Sequence, residues 1–165
     1  MDVPREYARW RSALEFDEVS YGVGGIRIVP LELLEEFQVG YSRSPEGKSL
    51  CGPVGWWQKD WIVIGQETAM GDPIILDAVT MQVMTARHGE REWNAEPVAV
   101  SLAGFGCALK VLRMLAAGRE NPVQLDAHPL SNGERQSAFF TIAQNNPDIA
   151  LLFWELLIGN AIGET

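Results

Sequence analysis

Positive charge is in short supply. Only 13 Lys and Arg stand against 22 Asp and Glu, a formal net charge of -9. Phosphate binding needs clustered Lys and Arg, so this balance argues against nucleic acid as a direct partner. An acidic surface suits solubility and basic protein partners, and here the acid is spread along the chain with no acidic tail. Cysteine is scarcer still. Cys51 and Cys107 are far apart and form no CxxC, so they read as two reduced thiols. No apolar run approaches the roughly 20 residues that a membrane span needs. The N-terminal MDVPREYARWRSALEF is charged from Asp2 onward and has no apolar h-region, so no signal peptide is expected. The expected compartment is the cytoplasm.

Catalytic motifs are missing as well. There are two histidines: His88 in the polar turn ARHGERE, and His128 before Pro129. Neither has a second ligand at metal-binding spacing, and both read as solvated loop residues. No GxSxG elbow is present, and a Cys–His pair could form only through the tertiary fold. The glycine-rich stretch Tyr21-Gly22-Val23-Gly24-Gly25 has neither a GxGxxG pattern nor a following Gly-Lys-Ser/Thr, so it reads as a turn and not a phosphate loop. Together these absences lead to the expectation of a protein that is not an enzyme and uses no metal or cofactor.

What is there belongs to an ordinary globular domain: 165 residues, 47% hydrophobic and 21% charged, enough to bury a core without staples. Tyr7, Trp10 and Leu14 recur at helical spacing behind Pro4. Pro30 opens a second short helix, PLELLEEF, with Leu31, Leu34 and Phe37 as its stripe. The period then changes. WIVI, PIIL, MQVMT (81–85) and PVAVS (97–101) read as strands, and their short connections favour antiparallel neighbours. Ser101 is a good N-cap for SLAGFGCALKVLRMLAAG, in which Gly104 and Gly106 allow close packing. RENPVQLDAHPLSNG reads as a polar connection. ERQSAFFTIAQNN and PDIALLFWELLIG then form a helical hairpin, with Ile149, Leu152, Phe153 and Leu156 as the second helix's apolar stripe. The predicted class is α+β: a mostly antiparallel central sheet with helices packed against it, plus a C-terminal helical hairpin.

The stretch WWQKDWIVIGQETAMGDPIILD, residues 56–77, is the richest in chemistry. Gly65 and Gly71 are expected to bracket a tight connection between two paired strands. Asp60, Glu67, Asp72 and Asp77 cluster here. Asp72 and Asp77 flank a strand, where Asp favours turns, and an exposed acidic face that binds a partner is the other reading. Trp61 begins an apolar strand and reads as core. Trp56 and Trp57 are adjacent and face opposite sides of a strand, so one of them is a candidate for an exposed interface anchor. An aromatic cage for a cationic ligand is the alternative to a core role.

The segment DWIVIGQETAMGDPIILD resembles the central signature of the SMI1/KNR4 family of the SUKH superfamily: an aromatic before an "IG" strand end, a Gly-Asp turn, and an apolar strand ending in Asp. Trp61, Ile64, Gly65, Gly71, Asp72 and Asp77 carry the match. Upstream, GGIRIVPLELLEEFQVGY is similar to the family's Pro-led helix after a glycine-containing loop. Downstream, EPVAVSLAGFGCAL is similar to its closing strand and Ser-capped helix, through Ser101 and Phe105, with Leu102 where an aromatic is common. The likeness covers roughly residues 1–117 and implies a SUKH-like domain over 1–118. Residues 119–165 lie outside the pattern and are expected to form a helical extension packed on the same domain. The resemblance also implies an α+β fold without a shared catalytic apparatus. Bacterial members are read as immunity proteins that bind and neutralise toxins, often nucleases or deaminases, and fungal members as regulators of cell-wall signalling.

The leading expectation is therefore a non-catalytic immunity-type module. It would bind a basic toxin domain through Asp60, Glu67 and Asp72, with Trp57 as apolar anchor unless Trp57 is simply core. The alternative is a small ligand-binding regulator or small enzyme using a pocket near Trp56 and Trp57. Neither reading involves a membrane.

Overall fold

A computed structural model describes residues 1–159. Helix α1 (Arg5–Ala13) leads into the hairpin β1 (Glu18–Tyr21) and β2 (Gly24–Ile28). Two 3₁₀ turns, Leu31–Leu33 and Glu36–Gln38, follow. Strands β3 (Trp61–Glu67), β4 (Pro73–Asp77), β5 (Val83–Thr85) and β6 (Glu96–Ala99) complete the sheet. Helices α2 (Leu102–Ala116), α3 (Pro122–Ala127), α4 (Asn132–Asn145) and α5 (Leu152–Ile158) form the C-terminal part. The fold is α+β. The six strands lie in chain order, and every neighbouring pair is antiparallel.

The near-continuous apolar runs of β3 and β4 follow from burial on both faces of the sheet. Ile62, Ile64, Ile74, Leu76, Val83 and Val98 point into the main core, where α1, α2, α4 and α5 supply Tyr7, Phe105, Leu109, Ile142 and Trp154. Val63, Ile75 and Met84 point the other way, into a smaller cluster closed by Trp57, Tyr41, Trp61 and Trp93. The C-terminal helices thus share one core with the sheet.

Several local expectations need correction. The glycine-rich stretch at 21–25 is a turn, but it joins two strands that the sequence reading missed, because β1 is only four residues and β2 opens on two glycines. PLELLEEF forms two 3₁₀ turns and no α-helix. The polar connection after α2 contains α3, capped by Asn121 with Pro122 in its first turn. Gly65 does not bracket the β3–β4 turn. It lies inside β3, next to a register shift between Val63 and Gly65, while Gly71 (φ 78°) does sit in the turn. The last helix starts only at Leu152 and is rotated from the expected stripe: Trp154 and Ile158 are buried, whereas Leu152 and Leu156 are exposed.

Two buried amides hold this framework. Where β2 ends, the Gln38 side chain takes the place of a strand: its Oε1 accepts from the Val63 N–H (2.9 Å) and its Nε2 donates to the carbonyls of Val63 (2.9 Å) and Leu34 (2.8 Å). Asn146 ties the end of α4 to the start of α2. Its Oδ1 accepts from the Val100 N–H (3.0 Å), and its Nδ2 donates to the carbonyls of Gly104 (3.2 Å) and Ile142 (3.0 Å). A side chain at Gly104, in the first turn of α2, would overlap Asn146, so that position takes a residue that lacks one. Asn146→Ala is expected to lower stability by about 2–3 kcal/mol, since it strands buried backbone groups without partners. Urea denaturation measures this, and a loss below about 0.5 kcal/mol would show that the amide is dispensable.

Candidate functional site

Four strand termini converge at one end of the sheet. Here β3 stops at Glu67, β4 starts after Asp72, β5 stops at Thr85 and β6 starts at Glu96. Helix α5 lies alongside them, and a groove of about 500 Å³ opens between, within the usual range for binding cavities. Its polar side carries four carboxylates, Glu67, Asp72, Glu90 and Glu96, against one guanidinium, Arg87. Its apolar side is Met70 from the β3–β4 turn with Leu152, Phe153, Leu156 and Leu157 of α5.

The carboxylates are not equivalent. Glu67 is buried, and its two oxygens accept from the N–H groups of Ala69 and Met70, both at 2.7 Å. It ties down its own turn, so it is no exposed partner-binding group as the sequence suggested. Asp72 is committed to His88. Its Oδ1 accepts from the His88 backbone N–H (3.0 Å) and lies 2.8 Å from the ring Nδ1. His88 is therefore not a free loop histidine. The partner is sixteen positions away in sequence, and only the β4–β5 pairing brings it near. Burial first, and the Asp72 carboxylate second, push the Tyr41 phenol above its ordinary value. Glu90 and Glu96 line the groove and make no hydrogen bond or ion pair among the described residues.

The other sequence-derived candidates lie elsewhere. Asp60 precedes the opposite end of β3, roughly 20 Å of extended strand from Glu67. Trp57 is not an exposed anchor, since only 1% of it reaches solvent. Its indole N–H donates to the Trp61 carbonyl (3.0 Å), and its ring meets Trp61 and Trp93 edge-on. The exposed member of the pair is Trp56, at 58%, laid against Gly52. Neither tryptophan lines the groove. Asp77 caps the β4–β5 turn, its Oδ1 accepting from Val79 and Thr80, as a turn-forming Asp does. Ser101 caps α2 by accepting from Gly104, and Phe105 is fully buried. Ile64 is core.

Sequence reasoning missed Glu90, Glu96, Leu152 and Leu156. The two leucines did carry a signal, their spacing of four, but it was read as a buried stripe. The acids are scattered among loop and strand-end residues and carried none. Cys51 and Cys107 are both free and partly buried. Among the described residues no group of three His, Cys, Asp or Glu side chains is arranged to hold a metal ion, and no helix is long and apolar enough to cross a membrane. The groove offers unpaired negative charge beside exposed leucine, which fits a cationic group carried on an apolar body. Comparison with protein-family models, with curated proteins and with solved structures finds no match to this chain.

Proposed function

We propose that this chain is a non-catalytic protein-binding module of the immunity type, which binds a basic toxin domain and neutralises it. The observation that carries the reading is the groove: two carboxylates, Glu90 and Glu96, unpaired among the described residues and set beside an exposed apolar helix face, in a protein of net charge -9. Complementary charge steers a basic partner toward such a surface, and desolvated apolar side chains hold it there. The likeness of Trp61–Asp77 to the SMI1/KNR4 signature supports the same reading. The proposed compartment is the cytoplasm, with neither nucleic acid nor membrane as a direct partner.

The test is to express the protein encoded by the adjacent gene, with and without this chain. Rescue of growth and a measurable complex are expected. Glu90→Gln with Glu96→Gln should slow association about fivefold or more at low salt, with the effect shrinking at high salt. A neighbouring protein that is neither toxic nor bound sinks the proposal. The volume of the groove supports a second reading, a small-ligand regulator or small enzyme, which would use this groove in place of the pocket expected near Trp56 and Trp57. Turnover in a substrate screen, lost on His88→Ala, would favour it.

A further inference from the structure

We infer that the partner element seated in this groove is a cationic amphipathic helix. The inference rests on the protein-binding reading above and deepens it. Leu152 and Leu156 stand one helical turn apart on α5, with 52% and 63% of their surface exposed. An i, i+4 pair of this kind forms the ridge against which a second helix packs. The ridge is firmly mounted. On the opposite side of α5, Trp154 is fully buried and its indole N–H donates to the Val98 carbonyl (2.9 Å). Glu90 and Glu96 line the same groove without partners among the described residues and would meet Lys or Arg on the incoming helix.

An added β-strand fits less well. The free edge beside the groove is β6, and its backbone groups are largely spoken for. Trp154 occupies the Val98 carbonyl, Asn146 occupies the Val100 N–H, and Pro97 has no N–H to offer. The groove presents side chains and no open ladder, so recognition runs through a helix face.

The test uses the full chain and a fluorescent synthetic helix of Leu and Lys at amphipathic spacing. Its controls are a Leu/Glu counterpart and a scrambled Leu/Lys peptide. Saturable binding with a gain in helicity is expected, at least tenfold tighter than either control. Leu152→Ser with Leu156→Ser should weaken it tenfold or more. Both positions are exposed, and unchanged melting confirms the fold. Glu96→Gln should weaken binding about threefold at low salt, whereas Glu36→Gln, outside the groove, should not. No saturable binding, equal binding of the scrambled peptide, or equal effects of Glu96→Gln and Glu36→Gln each overturns the inference. If the adjacent-gene protein binds through Glu90 and Glu96 while the peptide does not, the helix inference falls and the protein-binding reading stands. If the peptide binds and that protein does not, the immunity reading falls and the helix inference stands.

Discussion

Replacing Trp57 with alanine is expected to cost about 3–5 kcal/mol of stability, while the same change at Trp56 should stay within about 0.5 kcal/mol. The two residues are adjacent, yet their surroundings differ completely. Trp57 is the most buried of the three tryptophans in the cluster on the second sheet face, packed with Val63, Ile75 and Met84 and ringed by Tyr41, Trp61 and Trp93. Truncation leaves a cavity, removes three aromatic contacts and leaves the Trp61 carbonyl without its indole donor. For a chain of this length the loss corresponds to a fall in Tm of roughly 10 °C. Trp56 sits in water and touches Gly52, so its loss frees surface and opens no cavity. Calorimetry of both variants decides the matter. A Trp57→Ala protein that melted with the parent would refute its placement in the core.

Gly65→Ala is expected to be at least as damaging, about 4 kcal/mol, and to expose the sheet to exchange with solvent deuterium at β2 and β3. Gly65 pairs with Ile28 on one side and with Ile74 on the other. An added methyl group would lie 2.3 Å from the Arg27 carbonyl oxygen, a backbone atom that no rotamer change can move. The strands would have to part, and the Val29 N–H bond to the Ile64 carbonyl (2.9 Å) lies beside the break. Gly71→Ala offers the comparison. That glycine meets only the edge of the His88 ring, but its φ of 78° disfavours a side chain, so a smaller loss of about 1 kcal/mol is expected. Similar losses at the two sites would mean that turn geometry, not close strand approach, accounts for both glycines.

The contrast between these glycines shows what was legible in the sequence. Strongly periodic segments could be read: α1, the Ser101-capped α2 and the four strands from Trp61 to Ala99 follow from apolar spacing and end signals. Segments whose order comes from tertiary partners could not. The hairpin β1–β2 contains two glycines in a five-residue strand and is held by pairing with β3. Gly65 looks like a strand terminator because a glycine at a close backbone approach and a glycine at a turn have the same letter. The candidate site was legible only in part. The sequence grouped Asp60, Glu67 and Asp72 in one cluster, whereas the length of β3 puts Asp60 at the other end, and whether each carboxylate faces a ligand or its own turn depends on hydrogen bonds that no spacing encodes. The α5 wall was read with its faces reversed, since all of Leu152, Phe153, Trp154, Leu156, Leu157 and Ile158 are apolar and the largest ring, not the pattern, chose the buried side.

The strand order has a further consequence for how the chain is made. Because every strand pairs with its neighbour in sequence, the sheet can zip up hairpin by hairpin as the polypeptide leaves the ribosome, and only the closure across residues 29–60 spans a long loop. By the time Ala99 has emerged, all six strands are available. The face that holds Ile62, Ile64, Ile74 and Leu76 still lacks its cover then, because α2, α4 and α5 have yet to be synthesised. Translation therefore passes through a stage in which every strand has been made but the helices that cover the main face of the sheet have not. Synthesis speed over the segment that carries α2, α4 and α5 sets how long that surface is open to chaperones or to aggregation.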